Sequence, residues 1–443
     1  MPSLPRLLSK VRHSSTRGTR RRFGLLTLET LEHRRLLSNV TVSFPTPDSP
    51  LTITGDPFND NFSITENSDG TVTVAGGAAT RVVPGVGVIP PSTIDGIAAP
   101  FTTPSAVTSI VVILPGISNF DFITLIGPGK SVPTTVKDVT ISATGTNLNL
   151  SVNNVNNRGI FTLSDTGTPD SLNAALAVSI QNSSFAALSI TQTGGTTATV
   201  RLGNNTVYGP VNVSEGNGDG NLIAIDDGNV FGSTTLVQGA GGPANTHGEN
   251  DSVTIRQSNI KNLSIDQRLD GANNTISISA LEISAINPMG NSQGVTIKQG
   301  DGAGDRVTIS GLTAIAPPDP RFSIPTGFVA SNLVVQQGKG DGDSTLVQTS
   351  KLPGSLVISQ QDTAANLTSN SISVSGVIVG YSQDTPIMTA LAGNITITQG
   401  DTIDLTSITD TIAVGDISVR QGDGTSPSKP GNQAIIRNVT AGI

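Results

Sequence analysis

The 443-residue chain contains no cysteine and no tryptophan, and it has only two tyrosines, 12 phenylalanines and three histidines. Without cysteine it cannot form a disulfide scaffold, a thiolate zinc site or a thiol nucleophile. Apolar runs are short: residues 110–114 stop at Pro115, far below the roughly 18 residues of a membrane-spanning helix. Charged residues make up 13% of the chain, which is too few for the usual signature of disorder. Its length is sufficient for a large core.

Charge divides the chain into two unequal parts. Residues 1–38 contain nine of the 25 Lys and Arg residues and only two acids, a net charge of +7, so the remaining 405 residues carry −8 − 7 = −15. A basic segment before an acidic body is typical of nucleic-acid binding, membrane attraction or targeting. The aromatic-poor acidic body repels phosphate and offers no stacking platform. We therefore expect a targeting segment and no nucleic-acid partner.

The type of targeting signal is left open by the residues. Residues 23–28 are interrupted by Gly24 and Thr27 and make a poor apolar segment for a cleavable secretory signal. Residues 19–23 are similar to the start of a twin-arginine motif, but Glu29 and Glu32 follow closely. Residues 28–38 also fit a short amphipathic helix, with acids early and arginines late.

Residues 31–37 read Leu-Glu-His-Arg-Arg-Leu-Leu. This stretch resembles the LEPR-XLL motif near the N-terminus of large secreted or cell-surface proteins of planctomycete bacteria. Five of the six defined positions match, and His33 stands where the motif has proline. The resemblance implies export from a bacterial cell to its surface or exterior, and it implies no particular activity.

A repeat dominates the second half of the chain. Its pattern is apolar, any, apolar, any, Gln, which is the period-two alternation of a β-strand. The anchor positions are Gln192, Glu215, Gln257, Gln299, Gln337, Gln360, Gln399 and Gln421, with Gln238 as a weaker copy and Gln267 half a repeat out of phase.

The spacing of these anchors suggests units of about 21 residues, a period within the range of solenoid repeats. Some gaps, such as that from Gln257 to Gln299, are nearly twice as long as the others, and counting each long gap as two units gives eleven units in all. Units this short must stack on their neighbours. The sequence therefore predicts an all-β parallel β-helix, about 50 Å long over these units. Leucine-rich repeats have a similar period, but the Leu-x-x-Leu-x-Leu pattern that they require is absent. An array of small β-sandwiches is the alternative fold.

Each anchor lies at an even offset from the apolar residues of its strand, so its side chain should point inward. A buried amide needs hydrogen-bond partners, and stacked glutamines provide them by pairing from rung to rung. We expect Gln192, Glu215, Gln238 and Gln257 on successive rungs, Gln299 and Gln337 two rungs apart, and Gln360 next. The carboxylate of Glu215 should accept from both neighbouring amides.

Turns rich in Gly and Asp follow the anchors. Turn chemistry alone accounts for these residues. If the rungs align, their acids would form a strip along one edge, to which calcium could bind. The candidate ligands are Asp219, Asp301, Asp305, Asp341, Asp343 and Asp423.

We divide the chain into four parts. Residues 1–38 form a basic export segment, disordered or briefly helical, and residues 39–83 a small β-module with a hairpin at Asp69-Gly70. Residues 84–106 are Pro- and Gly-rich and read as a linker or a cap. Residues 107–443 form the β-helix, in which 107–187 are degenerate early rungs.

The residues indicate no catalytic site and no cofactor besides calcium. His247 is the only histidine outside the basic segment, and it would share a side with Glu249 and Asp251 if extended, although an exposed polar loop fits better. Uniform repeats favour a secreted or surface-displayed structural, adhesin-like protein that is not an enzyme. Its partners would be extracellular polysaccharide or cell-envelope components. The alternative is a β-helix that binds or cleaves polysaccharide, an inference from fold alone.

Overall fold

The computed structural model of the protein describes residues 38–77, 81–83, 87–116, 120–129, 132, 134–145, 147–166, 175–194, 197–239, 248–267, 271–284, 286–287, 294–315, 329–361, 369–380, 393–400, 404–422 and 432–442. Within these residues every regular element is a strand. The part of the chain that precedes the first repeats contains β1 (Asn39–Ser43), β2 (Leu51–Thr54), β3 (Asn61–Glu66), β4 (Val72–Gly76), β5 (Arg81–Val83), β6 (Gly87–Ile89), β7 (Thr93–Ile94), β8 (Phe101–Thr102), β9 (Ser109–Pro115), β10 (Phe120–Ile126), β11 (Asp138–Thr144), β12 (Asn147–Asn153), β13 (Ile160–Thr166) and β14 (Ala175–Gln181).

The repeat region follows. Its first strands are β15 (Ser184–Phe185), β16 (Ala187–Thr193), β17 (Thr197–Gly203), β18 (Thr206–Val207), β19 (Val211–Ser214), β20 (Leu222–Asp226), β21 (Val230–Gln238), β22 (Ser252–Arg256), β23 (Asn259–Gln267), β24 (Thr275–Ser279), β25 (Glu282–Ser284), β26 (Ile286–Asn287), β27 (Val295–Gln299) and β28 (Arg306–Ser310). Its last strands are β29 (Thr313–Ile315), β30 (Val329–Ala330), β31 (Leu333–Gln337), β32 (Ser344–Gln348), β33 (Lys351–Leu352), β34 (Leu356–Gln360), β35 (Ser371–Ser375), β36 (Ile378–Val379), β37 (Ile395–Thr398), β38 (Leu405–Thr409), β39 (Ile412–Ala413), β40 (Ile417–Arg420), β41 (Gln433–Arg437) and β42 (Thr440–Ala441).

These strands wind into a parallel β-helix. In the described residues, thirteen strands pair parallel in one column, the anchor sheet: β2, β9, β11, β13, β16, β19, β21, β23, β27, β31, β34, β37 and β40. A second column, the opposite sheet, contains β3, β10, β12, β14, β17, β20, β22, β24, β28, β32, β35, β38 and β41. Twelve steps at the ordinary strand spacing of about 4.8 Å extend the described rungs over roughly 58 Å.

A third, shorter side completes most rungs. Strands of two or three residues pair from rung to rung along the sequence β15, β18, β25, β29, β33, β36, β39 and β42, and the first residues of β21 and β23 fill the same column. Successive parallel strands of one chain cannot be joined by tight turns, so each rung must travel around the core before it returns. The all-β parallel β-helix predicted from the repeat is confirmed, and the alternative prediction of a β-sandwich array is wrong.

The hairpin predicted at Asp69-Gly70 is also confirmed. Strands β3 and β4 pair antiparallel with Glu66 opposite Val72, and Gly70 takes the positive φ of 84° that this turn requires. The hairpin is continuous with the β-helix, because the other edge of β3 pairs parallel with β10. Residues 87–102 contribute β6, β7 and β8, which pair with β5, β1 and β4 respectively.

The rungs are longer and fewer than the repeat spacing predicted. From Gln192 to Gln421 the register contains eight rung steps, where the sequence suggested eleven units, so counting the long gaps as two units was wrong. Equivalent positions on successive rungs from Glu215 onward are 23, 29, 32, 38, 23, 39 and 22 apart in the sequence. The longer rungs carry extra chain in segments such as 316–328 and 381–392, outside the described residues. Insertions of this length add little loop-closure entropy.

The core is a set of apolar columns along the helix axis. Alternation along each strand points every second side chain inward, and the parallel register stacks it on its equivalent in the next rung. One column in the anchor sheet consists of Ile190, Val213, Leu236, Ile265, Ile297, Val335, Ile358 and Ile397, all nearly inaccessible to solvent. Branched side chains suit this surface because they lose little rotamer freedom in strands.

A left-handed residue follows almost every strand of the opposite sheet. Such a residue bends the chain sharply at a corner, and Gly and Asn tolerate the conformation best. The column consists of Asn154, Asn182, Asn204, Gly228, Gln257, Ala280, Gly311, Thr349, Gly376, Asp410 and Asn438, all with positive φ. Its existence explains why the chain turns at the same place in each rung despite variable loops.

Candidate functional site

Nine inward residues form one column, which we call the glutamine ladder, and its side chains are hydrogen-bonded without interruption from Glu215 to Gln421. It comprises Gln192, Glu215, Gln238, Gln267, Gln299, Gln337, Gln360, Gln399 and Gln421. The side-chain Nε2 of Gln267 donates to Oε1 of Gln238 at 2.8 Å, and the same contact recurs at 2.9 Å between Gln299 and Gln267. The pattern continues at 2.9, 2.6, 3.1 and 2.9 Å to Gln421. The inward, stacked orientation predicted for these amides is confirmed.

Two details of the predicted register were wrong. Gln299 and Gln337 lie on adjacent rungs, because Gln337 donates directly to Gln299. Gln257 is outside the ladder: it follows β22 of the opposite sheet and occupies the left-handed corner with φ 40°. Gln267 takes the ladder position, opposite Gln238 in the register. Both sheets have the same apolar alternation, so a strand followed by Gln does not reveal which sheet it joins.

Hydrogen bonding is incomplete at the start of the ladder, where Glu215 is the only acidic member. Oε2 of Glu215 accepts from Gln238 at 2.8 Å, as predicted, but Oε1 of Glu215 and Nε2 of Gln192 have no hydrogen-bond partner within the described structure. Asp165 aligns with Gln192 one rung earlier, and both of its carboxyl oxygens are buried without a partner among the described residues. Each such buried atom carries a desolvation cost. This end of the column therefore lacks the continuous pairing of the later rungs.

Burial makes these carboxyl groups weak acids. Burial raises the pKa of Glu215 to about 8, with a further contribution from nearby Asp251, and it raises the pKa of Asp165 to about 7. The neutral acid is favoured because a charge in a low-dielectric interior is costly. Protonated Glu215 would carry an O–H and so resemble the amides that follow it in the ladder.

A second polar column lies where the chain enters the opposite sheet, and we call it the Asx ladder. In each contact a backbone N–H donates to an Asn or Asp side chain of the next rung. The N–H of Asn274 donates to Oδ1 of Asp305 at 2.9 Å, and the N–H of Asp305 donates to Oδ1 of Asp343 at 3.0 Å. Its members are Asn221, Asp251, Asn274, Asp305, Asp343, Asn370, Asp404 and Asn432.

The Asx ladder contains two of the six predicted calcium ligands. Asp305 and Asp343 are fully buried, and burial together with the Asp343 carboxylate raises the pKa of Asp305 to about 8. Asp219 and Asp301 lie nearer the surface and accept backbone N–H groups of Glu249 and Lys339 at 3.0 and 2.9 Å. These hydrogen bonds are sufficient to account for Asp219 and Asp301 as residues that stabilise turns.

The other residues that the sequence offered as metal ligands or as an acid–base cluster lie at different places in the chain. Asp341 is half-buried in the same turn as Asp343, whereas Asp423 and His247 lie outside the described residues. Asp251 belongs to the Asx ladder, while Glu249 is exposed in the preceding turn. Within the described ranges, no three His, Cys, Asp or Glu side chains are grouped closely enough to hold a metal ion.

Calcium binding stays a prediction, and among the described candidates only Asp219, Asp301 and Asp341 lie near enough to the surface to share an ion. If they share ions with neighbouring turns, millimolar calcium should raise the melting temperature, because a ligand that binds only the folded state stabilises it. Differential scanning calorimetry with magnesium as the control ion tests this. The Asp301→Asn/Asp341→Asn variant should lose the shift. An unchanged melting temperature together with no heat in titration calorimetry would contradict the prediction.

The outward side of the opposite sheet is a regular, largely half-exposed surface. We define the hydroxyl face as the 27 outward positions of β17, β20, β22, β24, β28, β32, β35, β38 and β41, three per strand. Fourteen of them are Ser or Thr. These are Thr199, Ser252, Thr254, Thr275, Ser277, Ser279, Thr308, Ser310, Ser344, Ser371, Ser373, Ser375, Ser407 and Thr409.

The geometry of the hydroxyl face follows from the parallel register. Equivalent positions recur about every 4.8 Å along the axis and about every 6.6 Å along a strand. No aromatic residue occurs among the 27 positions. The inward repeat did not reveal this face. Its signal is the recurrence of Ser and Thr at the alternate, outward positions of the same strands.

The chain matches no protein-family profile, no curated protein and no solved structure. Among the described residues, none belongs to a helix long and apolar enough to cross a bilayer. The pairing defines the class of the protein on its own: it is a parallel β-helix with an internal glutamine ladder.

Proposed function

We propose that the protein is a secreted or surface-displayed structural repeat protein, adhesin-like in its action. The observation that carries this proposal is the hydroxyl face, which presents Ser or Thr in parallel register on seven of its nine strands. Such a surface makes many weak contacts at once, and linked weak contacts produce strong overall binding. The partners would be extracellular polysaccharide or cell-envelope components.

The internal architecture supports a structural role. Each rung contacts mainly its two neighbours, so the length of the protein can vary without a change in the chemistry of its faces. The two polar ladders fix the register, because a shift by one residue would bury outward side chains and expose the amides. Rigid spacing of surface groups is what a multivalent scaffold needs.

Polysaccharide cleavage is the less favoured alternative. Glycoside hydrolysis generally requires two carboxyl groups that flank the substrate. The acids with raised pKa, such as Asp60, Asp121 and Asp165, are buried in the β-helix interior, where a polymer cannot reach them. The proposal that the protein is not an enzyme needs a direct test, namely a hydrolysis and lyase screen with the full chain.

Export is the first testable part of the proposal, and it rests on residues 1–38. Their net charge of +7 and the motif resemblance at residues 31–37 predict that they direct the chain out of the cell. Deletion of residues 1–38 should leave the protein in the cytoplasm, whereas the full chain should be accessible to protease or antibody on intact cells. Arg34→Gln/Arg35→Gln should impair export through the motif. The matched control Arg6→Gln/Lys10→Gln removes the same charge elsewhere in the segment and should be exported normally.

Retention by the envelope is the second part. Purified full-length protein should sediment with isolated cell envelopes, and unlabelled protein should compete for the sites. Surface exposure of the chain that lacks residues 1–38 would contradict the targeting role. Failure of the full chain to sediment with envelopes or with extracellular polymer would contradict the adhesin-like role.

A further inference from the structure

The hydroxyl face carries a charge opposite to that of the rest of the body. Among its 27 positions are four arginines and a single acid, Asp226, whereas residues 39–443 together have a formal net charge of −15. The arginines are Arg201, Arg256, Arg306 and Arg437, and all four are exposed. A net +3 on one face of an acidic protein is a local field that can attract anions.

Three of the four arginines recur at a regular interval along the axis. Arg201 is on β17, Arg256 on β22 and Arg306 on β28, and one strand of the opposite sheet lies between each pair. Two rungs correspond to about 9.6 Å. The three residues occupy different columns of the face, so they follow a zigzag along the axis. Strand β24, between Arg256 and Arg306, presents only Ser and Thr outward, whereas β20, between Arg201 and Arg256, presents Leu222, Ala224 and Asp226.

The acidic body opposes anion binding less than its formal charge suggests. Burial raises the pKa of Asp60, Glu215 and Asp305 to about 8, so these groups are largely uncharged at neutral pH. The exposed acids Asp219, Glu249 and Asp301 lie on the turns between the two sheets. Exposed charges farther away than about 8 to 10 Å are strongly screened at physiological salt.

We infer that the hydroxyl face binds an extended anionic polysaccharide, with arginines on alternate rungs pairing with its carboxylate or sulfate groups and with serine and threonine hydroxyls bonding its sugar hydroxyls. Arginine is suited to this task because its planar fork matches such oxyanions. Nucleic acid is disfavoured because the face offers no aromatic side chain for base stacking. A protein partner is disfavoured because the face lacks the apolar centre of protein interfaces.

The inference rests on the proposed function, since the face must be outside the cell to meet such a polymer. The test uses the full chain and two probes with the same backbone: polygalacturonate, which carries one carboxylate per sugar, and its fully methyl-esterified form, which carries none. Dextran sulfate and dextran form a second pair that separates sulfate from carboxylate recognition. Binding is measured by affinity electrophoresis or calorimetry at two salt concentrations.

The key variant is Arg201→Gln/Arg256→Gln/Arg306→Gln. We expect the wild type to prefer the anionic member of at least one pair, with affinity that falls as salt increases, and the triple variant to bind roughly tenfold weaker or worse. The matched control Arg158→Gln/Lys261→Gln/Lys298→Gln removes the same charge from exposed positions outside the face and should bind like the wild type.

Three results would overturn the inference. Equal binding of the charged and uncharged probes would exclude anion recognition. A loss of affinity in the control variant as large as that in the triple arginine variant would exclude the hydroxyl face as the binding site. If neither polygalacturonate nor dextran sulfate binds, the ligand is not an anionic polysaccharide. If the protein still sediments with cell envelopes in that case, the proposed structural function stands and only the ligand assignment fails. Unchanged melting temperatures of both variants ensure that a loss of binding is not a loss of fold.

Discussion

The Glu215→Gln variant should be more stable than the wild type at pH 8.5 by as much as about 5 kcal/mol, because a pKa raised from 4.5 to about 8 corresponds to about 1.4 kcal/mol for each pH unit between the two values. Glu215 is fully buried, and its pKa is raised to about 8. In the unfolded chain the pKa of a Glu is about 4.3. Between these values the folded state holds a proton that the unfolded state has lost, so wild-type stability decreases as pH rises and levels off above about pH 8. Glutamine completes the ladder without a titrating group.

Thermal melts of both proteins at pH 5 and pH 8.5 test this expectation. The gain from the substitution should be much smaller at pH 5, where Glu215 is neutral in the folded state. Some pH dependence should persist in the variant, because Asp165 and Asp305 have raised pKa values as well. Glu282→Gln is the matched control, since Glu282 is exposed on β25 and should change little. Wild-type stability that increases with pH would contradict the assignment.

Gln360→Leu should destabilise the protein by about 1 to 3 kcal/mol, the cost of a buried polar group without a partner. Gln360 donates to Gln337 at 2.6 Å and accepts from Gln399 at 3.1 Å. The leucine leaves Nε2 of Gln399 without its acceptor, whereas Oε1 of Gln337 keeps the hydroxyl of Thr345 at 2.7 Å. The denaturation midpoint measures the loss.

Two companion variants make the ladder test specific. Ser359→Ala changes the outward neighbour on the same strand, β34, and should alter stability by less than about 0.5 kcal/mol. Gln360→Glu places a carboxyl in the same buried column and should be tolerated at pH 5 but strongly destabilising at pH 8.5, the mirror image of Glu215→Gln. Equal stability of Gln360→Leu and Ser359→Ala would show that the ladder contributes nothing.

Inward residues could be predicted from the sequence, whereas the outward residues of the hydroxyl face could not. Inward positions are constrained by burial, so alternation of Val, Ile and Leu with a terminal Gln was sufficient to predict strands, parallel stacking and the direction of the amides. The hydroxyl face is constrained only by exposure and solubility, so Arg201, Arg256 and Arg306 look ordinary in the chain. They become a set only when β17, β22 and β28 are placed in one sheet.

The sequence by itself determined the fold class, the hairpin at Asp69-Gly70 and the ladder formed by most of the anchors, because these depend on local alternation and turn chemistry. Only the tertiary structure decided the rung count, since a long gap between anchors looks the same whether it contains two rungs or one rung with an insertion. It likewise assigned Gln257 to a left-handed corner and Gln267 to the ladder. The physical reason is that strands of both sheets bury the same apolar alternation, and only their pairing distinguishes them.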